Sequence, residues 1–282
     1  MTGFVQSKIE LERDVQNELL NWKNKRHHTV LQIEGPWHVG KTHEVKKFVY
    51  SHYKQVVYVN LVRDEYGFED LMLTDHFMRE YCRNAGIGEY VDDESTVLVI
   101  DEIQERANVY NAIRDLREQL GCDIIVSGSY LARTVNSRDF FLPAGIAYLQ
   151  MYPLSFKEFC RALNIEDILE TISLKSESKD EDYQKLEEAY QVYRKIGGYP
   201  LVVTTFIESR QIDDCMVVLE DLIRTFTAES SRFFTNSTAL SIFQEAYKAV
   251  LVQIAEEEKG TGKTFLEFVT NFVKDTVKEP VS

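Results

Sequence analysis

The sequence predicts an α/β protein built on a mostly parallel sheet, and three observations carry that prediction. A glycine-rich turn at 35–42 stands between a short strand and a helix, and an apolar strand ends in two acids at 101 and 102. Five strand-like runs then alternate with helical ones over roughly the first 155 residues, the order that builds parallel sheets with right-handed crossovers.

Taken from the N-terminus, Ser7 to Lys23 carries Ile9, Leu11, Val15, Leu19 and Trp22 at helical spacing among charges, which predicts an amphipathic helix. The basic cluster Lys23, Lys25, Arg26, His27 and His28 follows and reads as a solvated turn. Val30-Leu31-Gln32-Ile33 is the first strand. It runs into Gly35-Pro36-Trp37-His38-Val39-Gly40-Lys41-Thr42, a complete G-x-x-x-x-G-K-T phosphate loop. Glycines let the chain curl so that N–H groups around His38 to Thr42 converge on phosphate oxygens at a helix N-terminus. Lys41 then meets the β- and γ-phosphates as a point charge, and Thr42 offers its hydroxyl to Mg²⁺.

Gln55 to Leu61 is rich in β-branched and aromatic residues and makes the second strand. A helix is expected from about Phe68 to Asn84, burying Leu71, Phe77, Met78 and Tyr81. The acidic run Asp92-Asp93-Glu94 reads as a solvated turn before the third strand. That strand, Thr96 to Ile100, is apolar throughout, as in a parallel strand covered on both faces, and ends in Asp101-Glu102. Downstream of a phosphate loop this is the pattern of a Walker B strand. Its first acid holds Mg²⁺, commonly through water, and its second orients and deprotonates the attacking water, which assigns those roles to Asp101 and Glu102.

Val109, Ala112, Ile113, Leu116 and Leu120 predict a helix stopped at Gly121. Asp123 to Ser127 is a buried strand with Gly128-Ser129 as its exit, and Ser127 or Ser129 is a candidate sensor of the γ-phosphate, with an ordinary strand-end turn as the other reading. The frame of a serine nucleophile elbow, G-x-S-x-G, is missing there. Ile146 to Met151 is the fifth strand, and Ser155 with Glu158 three residues on forms a capping box for the next helix. From there the chain reads as helical: Tyr183 to Ile196, Leu201 to Ser209, Asp213 to Phe226 and Thr238 to Glu257, with Gly197-Gly198-Tyr199-Pro200 as a sharp break and 171–182 as a polar connection. The expected division is a core over 1–155 and a helical region over 156–282. Gly260-Thr261-Gly262-Lys263-Thr264 repeats the letters G-K-T without the frame or the strand, and reads as a turn.

Composition excludes several classes. With 32 basic against 46 acidic residues the net charge is −14, which opposes broad binding to nucleic acid or anionic membranes. Cys82, Cys122, Cys160 and Cys215 form no C-x-x-C pair, so neither a zinc site nor a redox motif is expected. The first residues lack the regions of a signal peptide and no apolar run is long enough to span a bilayer, from which a cytoplasmic location is expected.

The segments Leu98 to Gln104, Val126-Ser127-Gly128-Ser129, Tyr152 to Phe159 and Gly197 to Pro200, together with the phosphate loop, resemble the bacterial and archaeal AAA-type ATPases that carry a C-terminal domain of unknown function. That resemblance implies an additional-strand P-loop core of strand order 5-1-4-3-2, ATP and Mg²⁺ as ligands, and a helical C-terminal region leading to a winged helix. Two departures stand out. Trp37-His38 replaces a pair that is usually basic or polar, and Leu142-Pro143-Ala144-Gly145 lacks the arginine of the family's L-x-G-R segment. Arg133 and Arg138 lie upstream as candidate arginine fingers, surface arginines without a catalytic role being the other reading. The winged helix looks incomplete at Ser282, as in a fragment or a reduced domain. The functions implied are Mg²⁺-dependent ATP hydrolysis acting on an unidentified protein partner or through self-association, or an ATP-dependent switch with little turnover. An ATPase that binds DNA is a third, opposed by the net charge.

Overall fold

The computed structural model describes residues 9–25, 29–129, 140, 145–172, 179–230, 241, 244 and 245. Five strands, β1 (Val30–Glu34), β2 (Gln55–Asn60), β3 (Thr96–Asp101), β4 (Asp123–Gly128) and β5 (Ile146–Gln150), form one sheet in the order β2-β3-β4-β1-β5. Every pairing is parallel, so the expected order 5-1-4-3-2 is what the chain adopts. Register places Ile33 beside Ser127 and Ile100 beside Val126, which brings the carboxyl ends of β1, β4 and β3 to one edge of the sheet. Such an edge is where open parallel sheets bind ligands.

The central strands β3 and β4 are buried at every position, matching their unbroken apolar runs. Alternate residues feed opposite faces. Leu98, Ile100, Ile124 and Val126 join a core with Phe77, Tyr81, Val109 and Ile113, while Val97, Val99 and Ile125 join another with Val15, Leu19, Trp22, Val45 and Phe48. The helices behind these contacts are α1 (Val15–Lys23), α2 (Lys41–His52), α3 (Phe68–Leu71), α4 (Phe77–Asn84), α5 (Ala107–Asn111) and α6 (Ile113–Gln119). All four cysteines are free and buried.

Three helices differ from expectation. The first begins only at Val15, although Leu11, Val15, Leu19 and Trp22 are buried as their spacing required. The expected 68–84 helix is two, because Thr74 turns back onto the Leu71 carbonyl and His76 takes a left-handed φ of 67°. This break leaves Leu73 in solvent while Phe68 and Phe77 both reach the core, where their rings meet edge to face. The 109–120 helix is likewise interrupted at Ala112, between α5 and α6.

Beyond β5 lie α7 (Phe156–Ala162), α8 (Glu166–Thr171), α9 (Asp180–Ile196), α10 (Pro200–Ser209) and α11 (Ile212–Ser230). The capping box forms as read, with Ser155 accepting from the Glu158 N–H and Glu158 from the Ser155 N–H. Leu154, Phe159, Ile196, Val202, Val203 and Phe206 make a third core among these helices. The chain falls into two compact units, Met1–Ile223 and Arg224–Ser282. Most of the helix expected at 238–257, the 260–264 turn and the 173–178 part of the polar connection lie outside the described residues.

Gly198 explains why two of the sequence motifs occur together. Its carbonyl accepts from the Leu154 N–H at 2.6 Å, and a Cβ there would come within 2.0 Å of the Leu154 carbonyl oxygen. Backbone cannot yield as a flexible side chain can, so Gly198→Ala is expected to cost about 2–3 kcal/mol by denaturant unfolding, at the upper end of overpacking. A change under about 0.5 kcal/mol, the range of ordinary surface substitutions, would show that the two turns separate freely.

Candidate nucleotide-binding site

The phosphate loop leaves β1 through Gly35, where an added Cβ would stand 2.1 Å from the Met151 carbonyl oxygen. Only glycine fits. His38 and Gly40 both adopt left-handed backbone, φ 62° and 92°, which curls the loop before α2 starts at Lys41. Gly40 at the N-cap has no side chain to satisfy the first N–H groups, the donors that a helix start offers to anions. Pro200, from the Gly197–Pro200 turn, lies 3.8 Å from where a Gly40 Cβ would be, so the helical region borders the loop directly.

Lys41 folds back over the loop, its Nζ donating to the carbonyls of Gly35 and Pro36 at 2.9 and 2.8 Å. Burial lowers its pKa, and the nearby carboxylates of Glu102 and Asp101 oppose that shift. Thr42 donates its hydroxyl to Asp101 Oδ2 at 2.8 Å, across the gap between α2 and the end of β3. Asp101 is buried and also accepts from Ser127 Oγ, from the Tyr58 hydroxyl and, at 3.1 Å, from the Glu102 N–H. Burial and the Asp101 charge raise the Tyr58 pKa, so Tyr58 stays a protonated donor.

Glu102 has left-handed backbone, φ 57° and ψ 42°, a strained conformation of the kind that recurs at functional sites. It opens a short 3₁₀ turn, Ile103–Glu105, which brings Gln104 back beside it. Gln104 Nε2 donates to Glu102 Oε2, and Gln104 Oε1 accepts from the Ser129 N–H at 3.1 Å. Burial raises the Glu102 pKa, and the Gln104 hydrogen bond works against that rise. Ser129 Oγ is buried and has no partner among the described residues.

The structure thus brings Lys41, Thr42, Asp101, Glu102 and Ser127 together, with Ser129 behind Gln104. Val39 is buried under the loop, whereas Pro36 and His38 face solvent and Trp37 is half-buried. Arg133 and Arg138, with 142–144, lie outside the described residues. A hydroxyl and a carboxylate 2.8 Å apart are oxygen ligands of the kind a small divalent cation takes beside phosphates. With the adjoining lysine and the orphaned buried hydroxyl, this donor set fits Mg²⁺ and a nucleotide.

Three contributors escaped the sequence reading. Tyr58 and Gln104 were legible only as strand and motif residues. Arg13 gave no signal at all. It is buried and donates to Glu158 Oε1 at 3.0 Å, to the Val39 carbonyl at 3.1 Å and to the Tyr152 carbonyl at 2.7 Å. One guanidinium so ties the N-terminal segment, the phosphate loop and the start of α7.

A parallel sheet in this order, with a phosphate loop after β1 and paired acids after β3, defines a P-loop nucleoside-triphosphatase fold. Residues 27–160 match the sequence model of a family described as an AAA domain. Among solved structures, the Walker-type ATPase PABY2304 of Pyrococcus abyssi superposes with a TM-score of 0.52 at 12% identity, over 94% of this chain and 88% of that one. At that identity the likeness concerns the fold. An uncharacterized protein of Haemophilus influenzae is 29% identical over 110 residues, 39% of this chain and 24% of the relative's length. The family and fold carry nucleotide binding and hydrolysis as their general function. Among the described residues no helix is long and apolar enough to cross a membrane.

Proposed function

We propose that this protein binds ATP with Mg²⁺ and hydrolyses it, coupling the cycle to a conformational change that acts on a protein partner or a second copy. The observation that carries this reading is the Thr42–Asp101 contact at 2.8 Å, with Lys41 close enough to feel the charges of both Asp101 and Glu102. Gly35 to Thr42 would cradle the phosphates through backbone N–H groups, and Lys41 would leave the loop carbonyls for the β- and γ-phosphate oxygens. Thr42 and Asp101 would hold Mg²⁺, which supplies charge neutralisation at the transferring phosphoryl group. Glu102 orients the attacking water and takes its proton, and Ser127 keeps Asp101 turned toward Thr42.

Purified protein assayed for Mg²⁺-dependent phosphate release from ATP, over a range of protein concentrations, tests this reading. Lys41→Ala is expected to weaken ATP binding about 10–100-fold, the worth of a lost charge-assisted hydrogen bond, and to end turnover. Turnover that rises more than linearly with concentration indicates a site completed between subunits. A second reading, a nucleotide switch with little turnover, draws on the missing arginine at 142–145, since an arginine finger is worth about 10³–10⁵ in rate. ATP binding that depends on Lys41, with no phosphate release at any concentration, selects the switch.

A further inference from the structure

We propose that Gln104 is a positioning residue for hydrolysis, holding the Glu102 carboxylate against the exit of β4. This rests on the hydrolytic reading above. Gln104 is buried, and both ends of its amide are engaged by groups that fix which way it points. An ionised carboxylate only accepts and a backbone N–H only donates. Flipping the amide would set Oε1 against the Glu102 carboxylate and Nε2 against the Ser129 N–H, losing both bonds and creating two repulsions. The side chain therefore has one orientation, and through it Glu102 has one docked position relative to β4.

The fit continues on the far side. A Cβ at Gly128 would come 2.3 Å from Gln104 Oε1 and 3.0 Å from Ile103 Cγ2, so a side chain at 128 and an amide at 104 cannot both occupy this space. The motif around Asp101 to Gln104 and the motif Ser127-Gly128-Ser129 are two halves of one contact. Glu102 itself is held by left-handed backbone, a conformation that packing must enforce, and the Gln104 amide is the part of that packing that reaches the carboxylate. Any displacement of Ser129 by a bound phosphate is passed through a single hydrogen-bonded side chain to Glu102. The sensor at the end of β4 then acts through the Ser129 backbone and Gln104, while the buried Ser129 hydroxyl has no partner among the described residues.

Gln104→Met keeps the length and bulk of the side chain and removes both hydrogen bonds, so it separates positioning from packing. With ATP saturating and at a temperature where the variant remains folded, kcat is expected to fall on the order of 10²-fold, the effect of misplacing a catalytic group by about 1 Å. The ATP dissociation constant should stay within about twofold, because the hydrogen bonds of the Gln104 side chain go to Glu102 and Ser129 and not to the phosphate loop or Thr42. Gly128→Ala, which displaces the amide from the other side, should lower kcat similarly, and the double variant should lose little more than either single one. Full turnover in Gln104→Met overturns the role of Gln104 while leaving the hydrolytic reading intact. A fall confined to ATP affinity also overturns it. Wild-type protein that binds ATP and releases no phosphate overturns both.

Discussion

Arg13→Met is expected to destabilise the first compact unit by about 3–5 kcal/mol, the cost of breaking a buried ion pair from one side. The methionine would leave the Glu158 carboxylate buried with its main cation gone, and the carbonyls of Val39 and Tyr152 without their side-chain donor. Glu158 is also fixed by two backbone N–H groups, those of Asp14 and Ser155, so it cannot swing out to water without uncapping α7. For a unit of this size the loss corresponds to a drop in melting temperature on the order of 10 °C. Adding Glu158→Gln should recover part of it, since the uncompensated charge is then removed while the amide oxygen can still accept from a backbone N–H. The functional trace is separate: ATP affinity should fall in the single variant, because the Val39 carbonyl is part of the phosphate loop that Arg13 holds. A single variant that melts within 1 °C of wild type would show that water reaches the pair and screens it.

The sheet was legible because each strand announces itself locally. Unbroken apolar runs at Val97–Ile100 and Ile124–Val126 require cover on both faces, and both strands are buried throughout. The strand order came from the family resemblance, not from periodicity, and the pairings match it. In the site, Lys41, Thr42, Asp101 and Glu102 are readable because phosphate chemistry demands those residue types at those spacings, and the fold sets Thr42 against Asp101 with Lys41 folded onto the loop carbonyls. What stayed illegible depends on partners far away in the chain. Arg13 sits in a charged segment that looks like any solvated helix face, and its carboxylate is 145 residues distant. The break at His76 follows from the need to bury Phe68 and Phe77 at once, which local propensity does not record. Gln104 reads in the sequence only as a motif residue, because its reason is a glycine on another strand.

Glu102→Gln should be the sharpest test of the chemistry, lowering turnover about 10²–10⁴-fold, the usual range for loss of a general base. The substitution is nearly isosteric, and the new amide can present its oxygen to Gln104 Nε2, so the hydrogen bond that fixes the side chain survives. What is lost is the charge and the ability to take a proton. Because Lys41, Thr42 and the loop backbone are untouched, ATP affinity should change by no more than a few-fold, and removal of one negative charge near Lys41 and Asp101 works toward tighter phosphate binding. Asp101→Asn gives the contrasting pattern. Thr42 and Tyr58 can turn their hydroxyls to accept from the new amide nitrogen while Ser127 and the Glu102 N–H still donate to the remaining oxygen, so the fold is kept, while the charge that would hold Mg²⁺ is gone and nucleotide binding should lose its Mg²⁺ dependence. Steady-state phosphate release together with ATP titration, each with and without Mg²⁺, separates the two variants. Equal turnover in Glu102→Gln and wild type would remove Glu102 from the mechanism and move the proton acceptor elsewhere.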